Sequence, residues 1–176
     1  MTAPFALRDA TPEDVPTILR LIRALAEYEK LAHEVRATEA DLDRALFGDT
    51  PRAGAMIAEV AGAPVAVCVW YRTFSTFTGR HGIWVEDVFV EPAHRGIGIA
   101  RTIFRALARR VIAEGGLRLE WSVLDWNAPA IGAYRAMGAQ GLDDWTIQRV
   151  DGTALEALAR DDLGRGGEKS GSRAQT

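Results

Sequence analysis

The chain has 176 residues, 48% hydrophobic and 26% charged, with 21 basic and 24 acidic side chains for a formal charge of −3. That balance predicts one globular domain and argues against a disulfide scaffold, a fibre or a disordered chain. The near-neutral charge supplies no basic face for nucleic acid, and the longest apolar stretch, about residues 63–71, is far shorter than the roughly 20 that span a bilayer.

In chain order, Phe5 to Arg8 reads as an entry strand. Thr11 or Asp14 then N-caps a helix, with Pro12 or Pro16 in its first turn. Val15, Ile18, Leu19, Ile22, Leu25 and Ala26 recur at helical steps, so the helix is amphipathic and runs to about Tyr28. A second helix is expected from Thr38, where Thr38 and Asp41 resemble a capping box, to Gly48. Gly54–Val60 and Pro64–Tyr71 read as a hairpin around a Gly62 turn. Cys68, the single cysteine, sits in that second apolar run and reads as a core residue.

Thr73 to Gly82 is polar and is expected to be a loop, followed by a strand over Ile83–Val90. From Gly98 the period becomes helical, with Ile99, Ile103, Ala106, Leu107 and Val111 as the buried stripe. Arg101, Arg105 and Arg109 fall on another face as a solvated row. A strand over Leu117–Leu124 follows, then a short helix capped by Asn127 and stopped by Gly138. Asp144–Val150 is expected as a last strand, and Thr153 and Glu156 as the capping box of a last helix. The domain is expected over 1–160, and 161–176 is a polar, Gly-rich stretch expected to be a disordered tail. The order β-α-α-β-β-β-α-β-α-β-α implies antiparallel hairpins with at least one parallel pair: an α/β mixed sheet with helices on both faces.

The stretch from Val85 to Ala100 carries the chemistry. A strand runs into a turn with Gly96 and Gly98, which opens a long helix. The first turn of a helix has free N–H groups and partial positive charge, and glycines let a phosphate approach. A P-loop needs Lys-Ser or Lys-Thr after its second Gly, where this chain has Ile99-Ala100-Arg101. The dinucleotide fingerprint needs Gly or Ala where Arg101 stands. An Arg/Gln-x-x-Gly-x-Gly/Ala turn is satisfied throughout by Arg95 to Ala100, and a Gly-rich turn without a ligand is the alternative.

This turn resembles the acetyl-CoA pyrophosphate loop of the GNAT superfamily of N-acetyltransferases. Three further runs are similar to its diamine branch, the spermidine/spermine and thialysine N-acetyltransferases: residues 18–29 ending in Ala26-Glu27-Tyr28-Glu29, Glu86-Asp87-Val88-Phe89-Val90, and Asp125-Trp126-Asn127-Ala128-Pro129-Ala130-Ile131 with Tyr134. The resemblance implies a GNAT-type, mostly antiparallel twisted sheet and acetyl-CoA as co-substrate. It implies that the backbone of Val88, Phe89 and Val90 pairs with the pantetheine arm, and that Arg95, Gly96, Ile97, Gly98, Ile99, Ala100 and Arg101 hold the pyrophosphate. By the same resemblance Asn127 lies near the thioester, Tyr134 protonates the departing thiolate, and Glu86 binds and deprotonates the amine. Tyr28, Glu29 and Asp87 are expected on the substrate side, with Glu120 of the next strand expected to line the floor of the cleft. A homodimer is implied as well.

That chemistry is reasonable in itself. An alkylammonium of pKa about 10 must lose a proton before attacking a thioester, so a carboxylate serves both binding and deprotonation. Glu86 and Asp87 are neighbours on a strand and are expected to point to opposite faces. His33, His81 and His94 lack metal-ligand spacing, and no metal is expected. The opening residues have no basic-then-apolar leader, so a cytoplasmic location is expected. The expected partner is a small-molecule amine, with neither nucleic acid nor membrane expected. Polyamine-acetylating members carry Asp and Trp in the loop where this chain has Phe74 to His81 without an acid, which favours a short amine over spermine. A protein N-acetyltransferase and a non-catalytic acyl-CoA-binding module are the alternatives.

Overall fold

The computed structural model describes residues 4–160. They divide into two compact units between Met137 and Gly138. The first contains β1 (Ala6–Asp9), α1 (Val15–Tyr28), α2 (Glu39–Phe47), β2 (Gly54–Val60), β3 (Ala63–Ser75), β4 (Arg80–Val90), α3 (Ile99–Ala113), β5 (Arg118–Trp121) and α4 (Ala128–Arg135). The second contains α5 (Gly152–Ala159). Among the described residues no helix is long and apolar enough to cross a membrane.

The five strands form one sheet in the order β1-β2-β3-β4-β5. The first three pairings are antiparallel, and β4–β5 is parallel. The connections dictate this: hairpins reverse the chain, whereas the α3 crossover returns it in the same sense. The β2–β3 turn places Ala61 at φ 49° and Gly62 at φ 81°, as a twisted two-residue hairpin requires.

Alternation along the strands builds two cores. Ala55, Ile57, Val67, Val69 and Phe89 pack with Ile18 and Leu21 of α1 and Leu46 of α2. Met56, Ala58, Ala66, Cys68, Trp70, Ile83 and Val85 pack with the α3 stripe Ile99, Ile103, Phe104, Leu107 and Val111. The helices therefore cover both faces, as expected. Cys68 is fully buried, and burial pushes its thiol far up, so it is a core residue. At α2, Thr38 accepts from the Asp41 amide at 3.2 Å, and the Asp41 carboxylate accepts from the Thr38 amide at 3.1 Å. At the start of α1, the Asp14 carboxylate takes two bonds from Arg8 at 2.6 and 2.8 Å, tying the helix to β1.

Four elements differ from expectation. Most of Thr73–Gly82 is strand: Thr73 pairs with Gly82, Phe74 with His81 and Ser75 with Arg80. This end of the hairpin lacks the apolar alternation by which a strand is recognised, and Phe74 is exposed. Leu117–Leu124 shortens to Arg118–Trp121, because β5 finds ladder partners only at Gly82–Val85. Residues 144–150 form no strand, and Trp145, Ile147 and Val150 are exposed, since alternation makes a strand only where it meets an edge. Asp151, not Thr153, is the N-cap of α5, and Thr153 lies in its first turn. The polar stretch from Asp161 onward lies outside the described residues.

Candidate active site

The sheet parts between β4 and β5. β4 is paired on both sides from Gly82 to Val85. Beyond Val85 it keeps β3 on one side, while β5 ends at Trp121. Among the described residues, the β5-side edge of residues 86–90 therefore presents main-chain groups without a strand partner. One of these groups is the Val90 carbonyl, which accepts the Arg95 Nε–H at 3.0 Å.

A β-bulge marks the same spot. Val69 pairs with Asp87 and Trp70 with Val85, leaving Glu86 as the extra residue. Val85 and Val88 consequently both face the α3 core. Glu86 and Asp87 fall together on the α1 side, which corrects the opposite-face expectation drawn from simple alternation. Glu86 is exposed and accepts from the Trp84 indole at 3.1 Å. Burial, with the charges of Glu86 and Glu29, pushes the Asp87 carboxyl up to about 6. Glu29, just past the end of α1, is also raised by burial.

The turn between β4 and α3 is open. Gly96 has φ 81° and Gly98 φ 95°, conformations that L side chains rarely adopt. A Cβ at either would meet nothing within 4 Å, so the space in front of both glycines is clear. Gly98 caps α3, and the Thr102 amide is bonded to the Gly98 carbonyl at 3.0 Å. The amides of Ile99, Ala100 and Arg101 precede it and have no carbonyl one turn back within the helix. Ile99 and Ile103 are buried and anchor this turn to the sheet.

Aromatic contacts close the other wall. The Tyr28 hydroxyl donates to Asn127 Oδ1 at 3.2 Å, and its ring lies 5.8 Å from that of Trp126. The Arg95 guanidinium sits 4.8 Å from the Tyr28 ring centroid. Asn127 is buried and caps α4, accepting from the Ala130 amide at 3.4 Å. Tyr134 on α4 is wedged edge-on between Phe104, at 5.4 Å, and Trp121, at 5.1 Å. Burial pushes its phenol up to about 12, aided by Cys68, Glu29 and Tyr28. It therefore holds its proton across the neutral range.

An open strand edge, a Gly turn at a helix N-terminus, paired carboxylates and a protonated phenol suit group transfer to an amine. The profile of the Acetyltransferase (GNAT) family matches residues 18–139. The chain belongs to that family. It is 39% identical over 164 residues to thialysine N-epsilon-acetyltransferase of Bos taurus, covering 87% of this chain and 96% of that protein. L-ornithine N5-acetyltransferase of Arabidopsis thaliana is 27% identical, covering 86% of each. Among solved structures, an integron cassette protein from the mobile metagenome of V. cholerae superposes with a TM-score of 0.75 at 20% identity, covering 90% of this chain and 99% of that one. This chain is thus an acetyltransferase, with the mixed, mostly antiparallel sheet of that fold.

Within this GNAT chain, most residues singled out from sequence converge. Glu29 acts electrostatically on both Asp87 and Tyr134, and Tyr28 on Tyr134. Glu120 stands apart: it lies across from Trp84 on the paired end of β5, with its carboxylate 2.7 Å from Arg118. Three residues of the site have no role assigned from the sequence. Trp126 contacts the Tyr28 ring, and Phe104 and Trp121 hold Tyr134. Adjacency to Asn127 is a usable signal for Trp126; Phe104 and Trp121 lie in a helix and a strand and carry no such signal. Among the described residues no cluster of His, Cys, Asp and Glu could hold a metal ion.

Proposed function

We propose that this acetyltransferase moves an acetyl group from acetyl-CoA to the primary amine of a small molecule, by direct attack in a ternary complex. The unpaired edge of β4 supports this most directly. It lies between the open Gly96–Gly98 turn and the paired acids Glu86 and Asp87. Clear space before the glycines and free first-turn amides fit a pyrophosphate, and an unpaired edge fits the amides of a pantetheine arm.

When bound, acetyl-CoA supplies an acetyl group activated as a thioester. Val88, Phe89 and Val90 offer main-chain groups to the pantetheine, and residues 95–101 cradle the pyrophosphate. Asn127 orients the acyl end. Glu86 and Asp87, with Tyr28 and Glu29 at their side, hold the ammonium of the substrate. Glu86 takes the proton, directly or through a water, which frees the nitrogen lone pair. The N–C bond forms as the C–S bond breaks; Tyr134 passes its phenolic proton to the departing sulfur, and the second proton shed by the nitrogen restores the phenol.

A lysine-like amine or short diamine is the preferred substrate, ahead of a long polyamine. The thialysine and ornithine enzymes among the relatives support this, as does the absence of an acid between Phe74 and His81. A cytoplasmic homodimer acting without a metal completes the proposal. The test is a panel of amines with acetyl-CoA, read by release of free CoA. Turnover of short diamines and lysine-like amines above spermine is expected, and the reverse order would refute the substrate assignment.

A further inference from the structure

Two members of the arginine row on α3, Arg105 and Arg109, have no use in the mechanism above. Arg101, Arg105 and Arg109 are exposed, and among the described residues none has an ion pair, hydrogen bond or ring contact. Their neighbours are different. Arg110 donates twice to the Asp9 carboxylate, at 2.9 and 3.0 Å, and Glu114 is taken by Arg72 at 2.7 Å. Three uncompensated cations in a chain of net charge −3 are a local departure from its balance.

Position gives the row a meaning. It begins at the phosphate turn, since Arg101 is two residues past Ile99, the first residue of α3. At 1.5 Å per residue, Arg105 lies about 6 Å and Arg109 about 12 Å further along the helix. Steps of four drift by only about 40° around the axis, so the three heads make one gently winding stripe. A ligand whose pyrophosphate sits in the turn and whose far end runs on along α3 would meet this stripe next. CoA carries a further phosphate, a dianion on the 3′-oxygen of its ribose, one sugar away from the pyrophosphate. Forked guanidinium groups suit phosphate oxygens.

We infer that Arg105 and Arg109 bind the ribose 3′-phosphate of CoA, so that the enzyme distinguishes CoA from its 3′-dephospho form. This rests on the acetyl-CoA proposal above and adds a specificity site to it. The two arginines lie beyond the turn and away from Glu86, Asp87 and Tyr134 in the chain. They discriminate between cofactors without entering the acetyl transfer.

The test is calorimetric binding of CoA and of 3′-dephospho-CoA to the full chain. The unaltered protein is expected to bind CoA about tenfold or more tightly than dephospho-CoA, the size of one charge-assisted contact. The double variant Arg105→Gln/Arg109→Gln is expected to bring the two affinities within about twofold, by weakening CoA alone. Arg23→Gln, the same charge change at an exposed position of α1, keeps the full ratio if the site is local. Equal affinities in the unaltered protein overturn the inference. So does a ratio retained in the double variant, or one lost equally in Arg23→Gln. No binding of either nucleotide overturns the acetyl-CoA proposal itself, and the inference with it.

Discussion

The Tyr28 hydroxyl bonds Asn127 Oδ1 at 3.2 Å, joining the end of α1 to the start of α4 across 99 residues of chain. The same oxygen caps α4 through the Ala130 amide. Tyr28→Phe keeps the ring against Trp126 and removes only the donor. It should lower stability by about 1 kcal/mol. Asn127→Ala loses both bonds and should cost about 1–2 kcal/mol. Urea unfolding of the three proteins checks this, and equal midpoints would show that the bond does not hold the two helices together.

Tyr134 is held by rings and keeps its proton to about pH 12. If it protonates the leaving sulfur, Tyr134→Phe should lower kcat by about 100-fold or more. Its affinity for CoA should stay near that of the unaltered protein. A kcat within a few-fold of normal would remove Tyr134 from the acid role.

Asp87 titrates near 6 when folded and near 3.8 otherwise. Between those values the folded state binds the extra proton, so this group makes the protein less stable as pH rises from about 4 to 6. Above that range the penalty is complete. Asp87→Asn deletes it, so the variant should gain thermal stability relative to the unaltered protein across that window and hold the gain at neutral pH. Melting curves that run parallel between pH 4 and 6 would contradict a buried, shifted Asp87.

Gly98→Ala tests the turn. At φ 95° with nothing within 4 Å of the added carbon, the change strains the backbone without a clash. It should cost about 1–2 kcal/mol of stability and place a methyl group before the phosphate. Gly62→Ala, at φ 81° in the β2–β3 turn and equally uncrowded, is the comparison. Both should destabilise, and only Gly98→Ala should weaken CoA binding in calorimetry. Equal CoA affinities in the two variants would deny the turn its role.

The parts legible in the sequence were those with a local signal. The α3 stripe, the Gly96–Gly98 turn and the Asn127 cap each follow from residues within a few positions of one another. The bulge at Glu86 had no such signal, because it arises from the pairing of β3 with β4. Hence the two acids were expected on opposite faces and lie on one. Thr73–Ser75 and Arg80–Gly82 are strands through main-chain pairing alone, with side chains that spell a loop. The reverse holds for residues 144–150, where alternating apolar residues meet no strand partner among the described residues. Contacts such as Tyr28 with Asn127 depend on the closed fold and could not be read from spacing.

The central claim is acetyl transfer from acetyl-CoA straight to a small amine. Mass spectrometry of the protein with acetyl-CoA, with and without a lysine-like amine such as thialysine, tests it most directly. The predicted result is a singly acetylated amine, formed only with both substrates present, and a protein that carries no acetyl group when the amine is withheld. An acetylated protein that accumulates without amine, or no acetylated amine at all, would contradict it.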